Sequence, residues 1–227
     1  MQGVVMIIEH ITPSIIVIHG DSHAINWKRT IGALGFSDRP IVTNTDPQYT
    51  EVLSNNGKDR RASGETWKSI HQDVTGIPKF LSMSERCGFW GAWFLKDQLP
   101  KCGSVHAWAK APENAQNSRF NAFELFWSSL PRKSSKKDLI WFGFMRGGEA
   151  NRRSLFHPHE KPPEVLEWTR WLLDITENDL WLDPYMGSGS AGIVAMRNRI
   201  PYIGVEREEK HFETAAARLK AEAERWT

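Results

Sequence analysis

Residues 180–206 constrain this chain more than any other stretch: Leu180-Trp-Leu-Asp183-Pro184-Tyr185-Met186-Gly187-Ser188-Gly189-Ser190, then Ala191-Gly192-Ile-Val-Ala-Met196, then Pro201-Tyr202-Ile-Gly-Val-Glu206. The apolar run at 180–182 suits a buried parallel strand. The glycines allow a tight turn and a close approach of backbone to ligand before a helix opens on small residues. Tyr202–Val205 is a second strand that delivers Glu206 to its carboxyl end, where two oxygens can accept hydrogen bonds from both hydroxyls of a ribose. A strand, turn, helix and strand of this kind demand an α/β fold, and a nucleoside-like cofactor is the natural occupant.

Gly187, Gly189 and Gly192 satisfy G-x-G-x-x-G, which keeps an NAD(P)-dependent oxidoreductase in view. Asp183-Pro184 ahead of the glycines weighs against it, as do the 21 residues after Glu206, few for a second mononucleotide half. No Lys-Ser or Lys-Thr follows the glycines, so a phosphate-cradling P-loop is disfavoured. An ordinary strand-to-helix turn would account for the segment if it stood alone.

A second segment stands far upstream. Pro40–Thr45 reads as a short buried strand ending in Asp46-Pro47-Gln48-Tyr49, a tetrapeptide that by itself is equally a type I turn. Together the two segments resemble the amino-methyltransferases of DNA, whose catalytic tetrapeptide has the form Asp/Asn/Ser-Pro-Pro-Tyr/Phe and whose cofactor motif is similar to Asp-Pro-Phe-x-Gly-Ser-Gly-Thr. The tetrapeptide precedes the glycine motif, which resembles the permuted order of the beta class. Phe156-His157-Pro158-His159-Glu160-Lys161-Pro162 resembles the family's His-Pro-x-x-Lys-Pro segment, and Gly20-Asp21 its Gly-Asp turn.

The resemblance implies a largely parallel, doubly wound sheet of the Rossmann-like, S-adenosylmethionine-dependent methyltransferase type, in a single domain over residues 1–227. It implies methyl transfer to an exocyclic amine of a base flipped out of double-stranded DNA, with adenine N6 ahead of cytosine N4 because Asp opens the tetrapeptide. S-adenosylmethionine is then expected at Asp21, His157, Lys161, Pro162, Asp183, Pro184, Tyr185, Gly187, Ser188, Gly189, Ser190 and Glu206. Asp46, Pro47, Gln48 and Tyr49 are the expected catalytic residues.

The chemistry suits those residue types. A ring-conjugated amine is a poor nucleophile, so its nitrogen must be held in line with the methyl donor and its developing charge favoured. Asp46 can accept one amino hydrogen while the Pro47 carbonyl accepts the other, and Tyr49 can stack on the flipped base. Gln48 departs from the family's proline, which removes a fixed dihedral and restores an N–H. A catalytically degenerate, DNA-binding relative therefore stays open as an alternative.

The formal charge of +2 does not announce nucleic acid, but basic groups cluster in the expected loops 50–75 and 143–156. Arg60, Arg61, Arg146, Arg152 and Arg153 are candidates for DNA contact, with Lys110 in a Trp108-Ala-Lys110 segment resembling part of the family's base pocket; solvated loops would look alike. Two cysteines, Cys87 and Cys102, give neither a disulfide framework nor the Pro-Cys pair of cytosine carbon-5 chemistry. His157 and His159 lack a third metal ligand nearby. No apolar run reaches membrane-spanning length, and a cytoplasmic chain is expected, in a bacterial or phage-infected cell with a restriction-modification setting among the options and homodimerisation open.

The remaining pattern predicts a helix over 22–34, a buried strand at Phe89–Phe94 followed by a helical segment to Pro100, and a strand at Ser104–Trp108. Phe120–Trp127 and Leu139–Phe144 suggest an antiparallel pair at the sheet edge. Helices are expected after Pro162 and after Glu206, the latter with Phe212, Ala215, Ala216, Leu219 and Ala223 as its buried stripe and Arg218 among the charged residues around it. Most of the 11 tryptophans are expected in the core.

Overall fold

A computed structural model describes residues 6–47, 76–112, 121–142, 145–147 and 160–225. In chain order the first elements are β1 (Ile7–Thr12), β2 (Ile15–His19), α1 (Trp27–Ala33), β3 (Ile41–Thr45), α2 (Ile77–Met83), β4 (Arg86–Trp90), β5 (Ser104–Ala109) and β6 (Phe123–Ser128). There follow β7 (Lys136–Asp138), β8 (Trp141–Phe142), β9 (Met145–Arg146), α3 (Pro163–Leu172), β10 (Leu180–Asp183), α4 (Ser190–Arg197), β11 (Tyr202–Glu206) and α5 (Glu209–Ala223).

Nine strands form one sheet in the order β1-β2-β11-β10-β3-β4-β6-β5-β7, and β8 and β9 pair separately. The five central strands, from β2 to β4, run parallel. Antiparallel pairings bring in β1 at one edge and β6 and β5 at the other.

Alternation along the strands explains the layers. In β2, Ile15 and Val17 join a core with Val165 and Leu172 of α3, Val194 of α4 and Leu219 of α5. Ile16 and Ile18 face the opposite core, with Trp27 and Ile31 of α1 and Ile77 and Phe80 of α2. With both faces covered, the central strands can be apolar at every position. Helices α4 and α2 therefore leave the adjacent strands β10 and β3 toward opposite faces. That is a topological switch point, and the crevice at the carboxyl ends of β10 and β3 is where a sheet of this type receives its ligand.

Several boundaries differ from the sequence reading for local reasons. Helix α1 starts at Trp27, because Asp21 turns the chain by accepting from the His23 N–H (2.9 Å) and Asn26 caps by accepting from the Arg29 N–H (3.2 Å). Strand β4 ends at Trp90, and residues 92–98 form turns instead of a helix. The segment around 139–144 does not pair with β6, which lies between β4 and β5; Trp141–Phe142 instead makes a hairpin with Met145–Arg146. Strands β1 and β7 and helix α2 have no counterpart in the sequence reading. The expected loop 50–75, and most of 143–156, lie outside the described residues.

Gly88 sits mid-strand in β4 on the α3 face. A Cβ there would come within 2.2 Å of the Phe126 ring and 2.7 Å of Leu173 Cδ1, both buried. Gly88→Ala should therefore overpack this core and lower stability by about 1–3 kcal/mol, read as a lower urea midpoint at unchanged slope.

Candidate active site

The turn after β10 is built by two glycines with left-handed backbones, Gly187 at φ 53° and Gly189 at φ 77°. A side chain at Gly189 would also crowd Ala215 of α5 at 3.1 Å, so glycine serves both the turn and the close helix packing. Glu206, at the end of β11, accepts from the Gly187 N–H (3.1 Å) through one oxygen and from the Glu208 N–H (2.8 Å) through the other. Burial raises the carboxyl above its ordinary range against the backbone donors Glu208, Arg207 and Gly187. Asp21 follows β2, whose Gly20 N–H donates to the Glu206 carbonyl at 3.0 Å, so these two acids share one end of the sheet.

Asp183 is buried and fully engaged. Its Oδ1 accepts from the Thr45 hydroxyl (2.5 Å) and the Tyr185 N–H (3.3 Å), and its Oδ2 accepts from the Tyr202 hydroxyl (3.1 Å). Burial pushes this carboxyl up to about 7 despite those donors. The same carboxylate raises the Tyr202 phenol further than burial alone does. Asp183 thus spans β3, β10 and β11. Pro184 is buried behind it, and Tyr185 turns its hydroxyl to His23 Nε2 (2.9 Å) and its ring edge to Phe80.

Ser188 and Ser190 face inward. Arg218 of α5 donates to the Ser188 carbonyl (2.7 Å), the Ser188 hydroxyl (2.8 Å) and the Ser190 hydroxyl (3.3 Å), and pairs with Glu160 at 3.0 Å. Sequence reading placed Arg218 among the charged residues around the apolar stripe of α5. The structure buries it beside Glu222 and Ala215, one helical turn either way, a spacing that was present in the sequence but read as charge.

On the other side of the crevice, Asp46 follows β3 and its Oδ2 pairs with Lys161. Lys161 also lies 3.1 Å from Glu124 of β6 and 4.8 Å from the Trp90 ring, while Glu124 pairs in turn with Lys110. Burial alone would discharge Lys161, but Asp46 and Glu124 outweigh it and hold the ammonium above the usual lysine range. Burial likewise opposes the charge on Glu124, yet Lys161 and Lys110 keep it down at about 2. For Asp46 burial wins over Lys161, with Glu124 adding to the rise. Asp46 Oδ1 is buried without a hydrogen-bond partner among the described residues.

The structure therefore brings to the carboxyl ends of the parallel strands Asp21, Asp46, Pro47, Lys161, the turn from Asp183 to Ser190 and Glu206, with Pro162 following Lys161 into α3. Lys161, expected beside a cofactor, stands against Asp46, and Lys110, a candidate for DNA contact, is tied into the same cluster. Trp108 is core, its Nε1 donating to the Leu139 carbonyl at 2.9 Å. Thr45, Trp90, Glu124, Glu160, Tyr202 and Arg218 were given no site role from the sequence, although Glu160 lies inside the 156–162 segment and Tyr202 opens β11, because what they touch is set by other elements. Gln48, Tyr49, Arg60, Arg61, Arg152, Arg153 and His157 lie outside the described residues, and Arg146 is placed only as part of β9. Cys87 is buried, which pushes its thiol up to about 12, and no described helix is long and apolar enough to cross a membrane.

A family model described as DNA methylase matches residues 24–217. The type II methyltransferase M2.LlaDCHI of Lactococcus lactis subsp. cremoris is 33% identical over 113 residues, 49% of this chain and 40% of that protein. M2.DpnII of Streptococcus pneumoniae, also a type II methyltransferase, is 44% identical over 69 residues, 30% of this chain and 25% of that one. The chain thus spans well under half the length of the curated relatives it matches. The crystal structure of an M1.HpyAVI–SAM complex is similar with TM-score 0.57 and 19% identity, covering 89% of this chain and 98% of that one, which shows a common fold.

The Asp183 carboxyl gives a pH signature. Its folded value of about 7 lies above the ordinary 3.8, so the folded state holds a proton that the unfolded state releases. The resulting stability is fully present below about pH 4 and is lost as the pH rises through about 7, with an upper bound on the order of 4 kcal/mol. Asp183→Asn keeps an acceptor for Thr45 and cannot titrate. Urea unfolding from pH 4 to 8 should show wild type losing its advantage over this variant as pH rises; parallel curves would refute the assignment.

Proposed function

Because this chain belongs to the family of DNA methylases acting on adenine N6 or cytosine N4, we propose that it transfers a methyl group from S-adenosylmethionine to the exocyclic amine of a DNA base. Adenine is the first choice, on the Asp that opens the tetrapeptide. The observation that carries this reading is the buried Oδ1 of Asp46, which has no hydrogen-bond partner among the described residues. A buried carboxylate oxygen without a donor is costly unless a ligand supplies one, and an exocyclic amine does so at the switch-point crevice.

The residues present fit the donor. Glu206 presents its carboxyl at the end of β11, held by the Gly187 and Glu208 N–H groups, beside the tight left-handed turn at Gly187 and Gly189. Glu206 and Asp21 would hold the nucleoside and the Gly187–Ser190 turn would flank it. Bound there, S-adenosylmethionine supplies an electrophilic methyl group on a sulfonium.

The work of the chain is then done on the amine. Asp46 Oδ1 accepts one amino hydrogen and the Pro47 carbonyl the other, which turns the nitrogen lone pair out of the base plane's conjugation and toward the donor. The carboxylate also favours the positive charge that develops on nitrogen. Tyr49 stacks on the extruded base, which must leave the duplex because its amine is otherwise paired. Arg60, Arg61, Arg152 and Arg153 are proposed to meet phosphates of the duplex.

Two variants test the division of labour. Glu206→Ala should weaken S-adenosylmethionine binding by about ten- to a hundredfold in calorimetry, the loss of a hydrogen-bonding charged group. Asp46→Ala should bind the donor normally yet transfer no labelled methyl group to duplex DNA. Methylation by Asp46→Ala at the wild-type rate would remove the proposed amine site.

A further inference from the structure

The resemblance assigns Lys161 to the donor pocket, but the structure puts it elsewhere. Its ammonium bridges Asp46 and Glu124 and lies over the Trp90 ring at 4.8 Å, with its side chain only 8% exposed. Glu124 is itself held by Lys110, whose ammonium stands 5.8 Å from the Trp108 ring. Two cations and two carboxylates thus form a neutral, partly buried chain that ends at the oxygen next to Asp46 Oδ1, which has no partner among the described residues.

We propose that Lys161 is a positioning residue of the amine site: it occupies Oδ2 of Asp46, so that Oδ1 alone is presented to the target amine, and Glu124 is the counter-charge that fixes it there. The inference rests on the methyl-transfer reading of Asp46. Its physical reason is rotational. A lone carboxylate can turn either oxygen, or both, toward a bound amine, whereas one anchored through a buried ion pair offers one oxygen in one direction. Trp90 supports the ammonium from its ring face, which stabilises a partly desolvated cation without competing for its protons. Glu124 prevents Lys161 from binding Asp46 through both oxygens, since the ammonium is shared between two carboxylates.

The charged groups around Asp46 are Lys161 from the segment before α3, Glu124 of β6, Lys110 just after β5 and Asp183 of β10. Removing one of the first two should move the acid limb of turnover in opposite directions. Lys161→Met takes away the cation, so Asp46 should ionise only at higher pH. Glu124→Gln takes away a neighbouring negative charge, so Asp46 should ionise at lower pH.

The experiment measures kcat for methyl transfer to duplex DNA by the full chain across pH, donor affinity by calorimetry, and the Asp46 carboxyl titration by carbon NMR in the free protein. Lys161→Met should lose about tenfold or more in kcat near neutral pH, with its acid limb about one unit higher and donor affinity within about twofold. Lys161→Arg should recover most of kcat. Glu124→Gln should lower the plateau severalfold and move the limb down. A Lys161→Met variant that weakens donor binding with an unshifted limb would return Lys161 to the donor pocket and overturn the proposal.

Equal or same-direction shifts in the two charge-removing variants would also overturn it. If Lys161→Met does not fold, Glu124→Gln and Lys161→Arg decide: a downward limb with arginine rescue supports the proposal, and an unshifted limb overturns it. Absence of methyl transfer by the wild type would refute the functional reading instead, while the NMR titration would still report whether Lys161 and Glu124 govern Asp46.

Discussion

The arrangement depends on one buried carboxylate, that of Asp183, at the end of β10. Through Thr45 it holds the last residue of β3 before Asp46, through the Tyr185 N–H it shapes the glycine turn, and through Tyr202 it reaches β11. The two turns that a donor and an amine would use are therefore fixed to the same side chain. Trp181 and Asn44 add a second tie, the indole donating to the Asn44 carbonyl at 3.0 Å while the Asn44 amide donates to Thr169 at 3.0 Å. Such polar links across a parallel sheet are costly to bury unless satisfied, so they specify how β10 and β3 sit relative to each other.

Glu160 and Lys161 show how neighbouring residues divide between the two halves of the crevice. Glu160 is buried against Arg218, which holds the glycine turn from behind, and Lys161 is buried against Asp46 and Glu124. The segment that leads into α3 is thereby fixed on both sides by charge pairs and followed by Pro162 and Pro163, which limit its backbone freedom. A buried ion pair contributes little net stability compared with apolar packing, but breaking one leaves an uncompensated charge. Its consequence is positional: Ser188 and Ser190 are held inward by Arg218, and the ligand side of the turn is left to backbone and to Glu206.

Much of this was present in the sequence. The strand-glycine-helix-strand unit at 180–206 required an α/β fold with Glu206 at a strand end, and the Gly-Asp turn, the Asp46 tetrapeptide and the Lys161 segment came in an order that resembles the family's. These signals are local: an apolar run, a turn requiring left-handed backbone and a helix opening on small residues are each written within about ten contiguous residues. The same locality misled at Phe120–Trp127 and Leu139–Phe144, where two aromatic stretches looked like partners. Strand pairing depends on which edge is available, and β4 and β5 took both edges of β6.

By itself, then, the sequence determined the class of fold, the parallel centre of the sheet and the identity of the acids at its carboxyl end. Only the tertiary structure decided what those acids face. Glu124 lies on β6 and Lys110 just after the neighbouring β5, Lys161 before a helix and Asp46 after a further strand, and nothing in their spacing predicts that they meet. Charges separated by 14 to 115 positions along the chain interact only once the sheet has brought their carriers within a few ångströms and excluded water from between them. Whether Arg218 is surface or core, and whether Lys161 serves a donor or an amine, are questions of environment, and environment is set by the packing of the whole sheet.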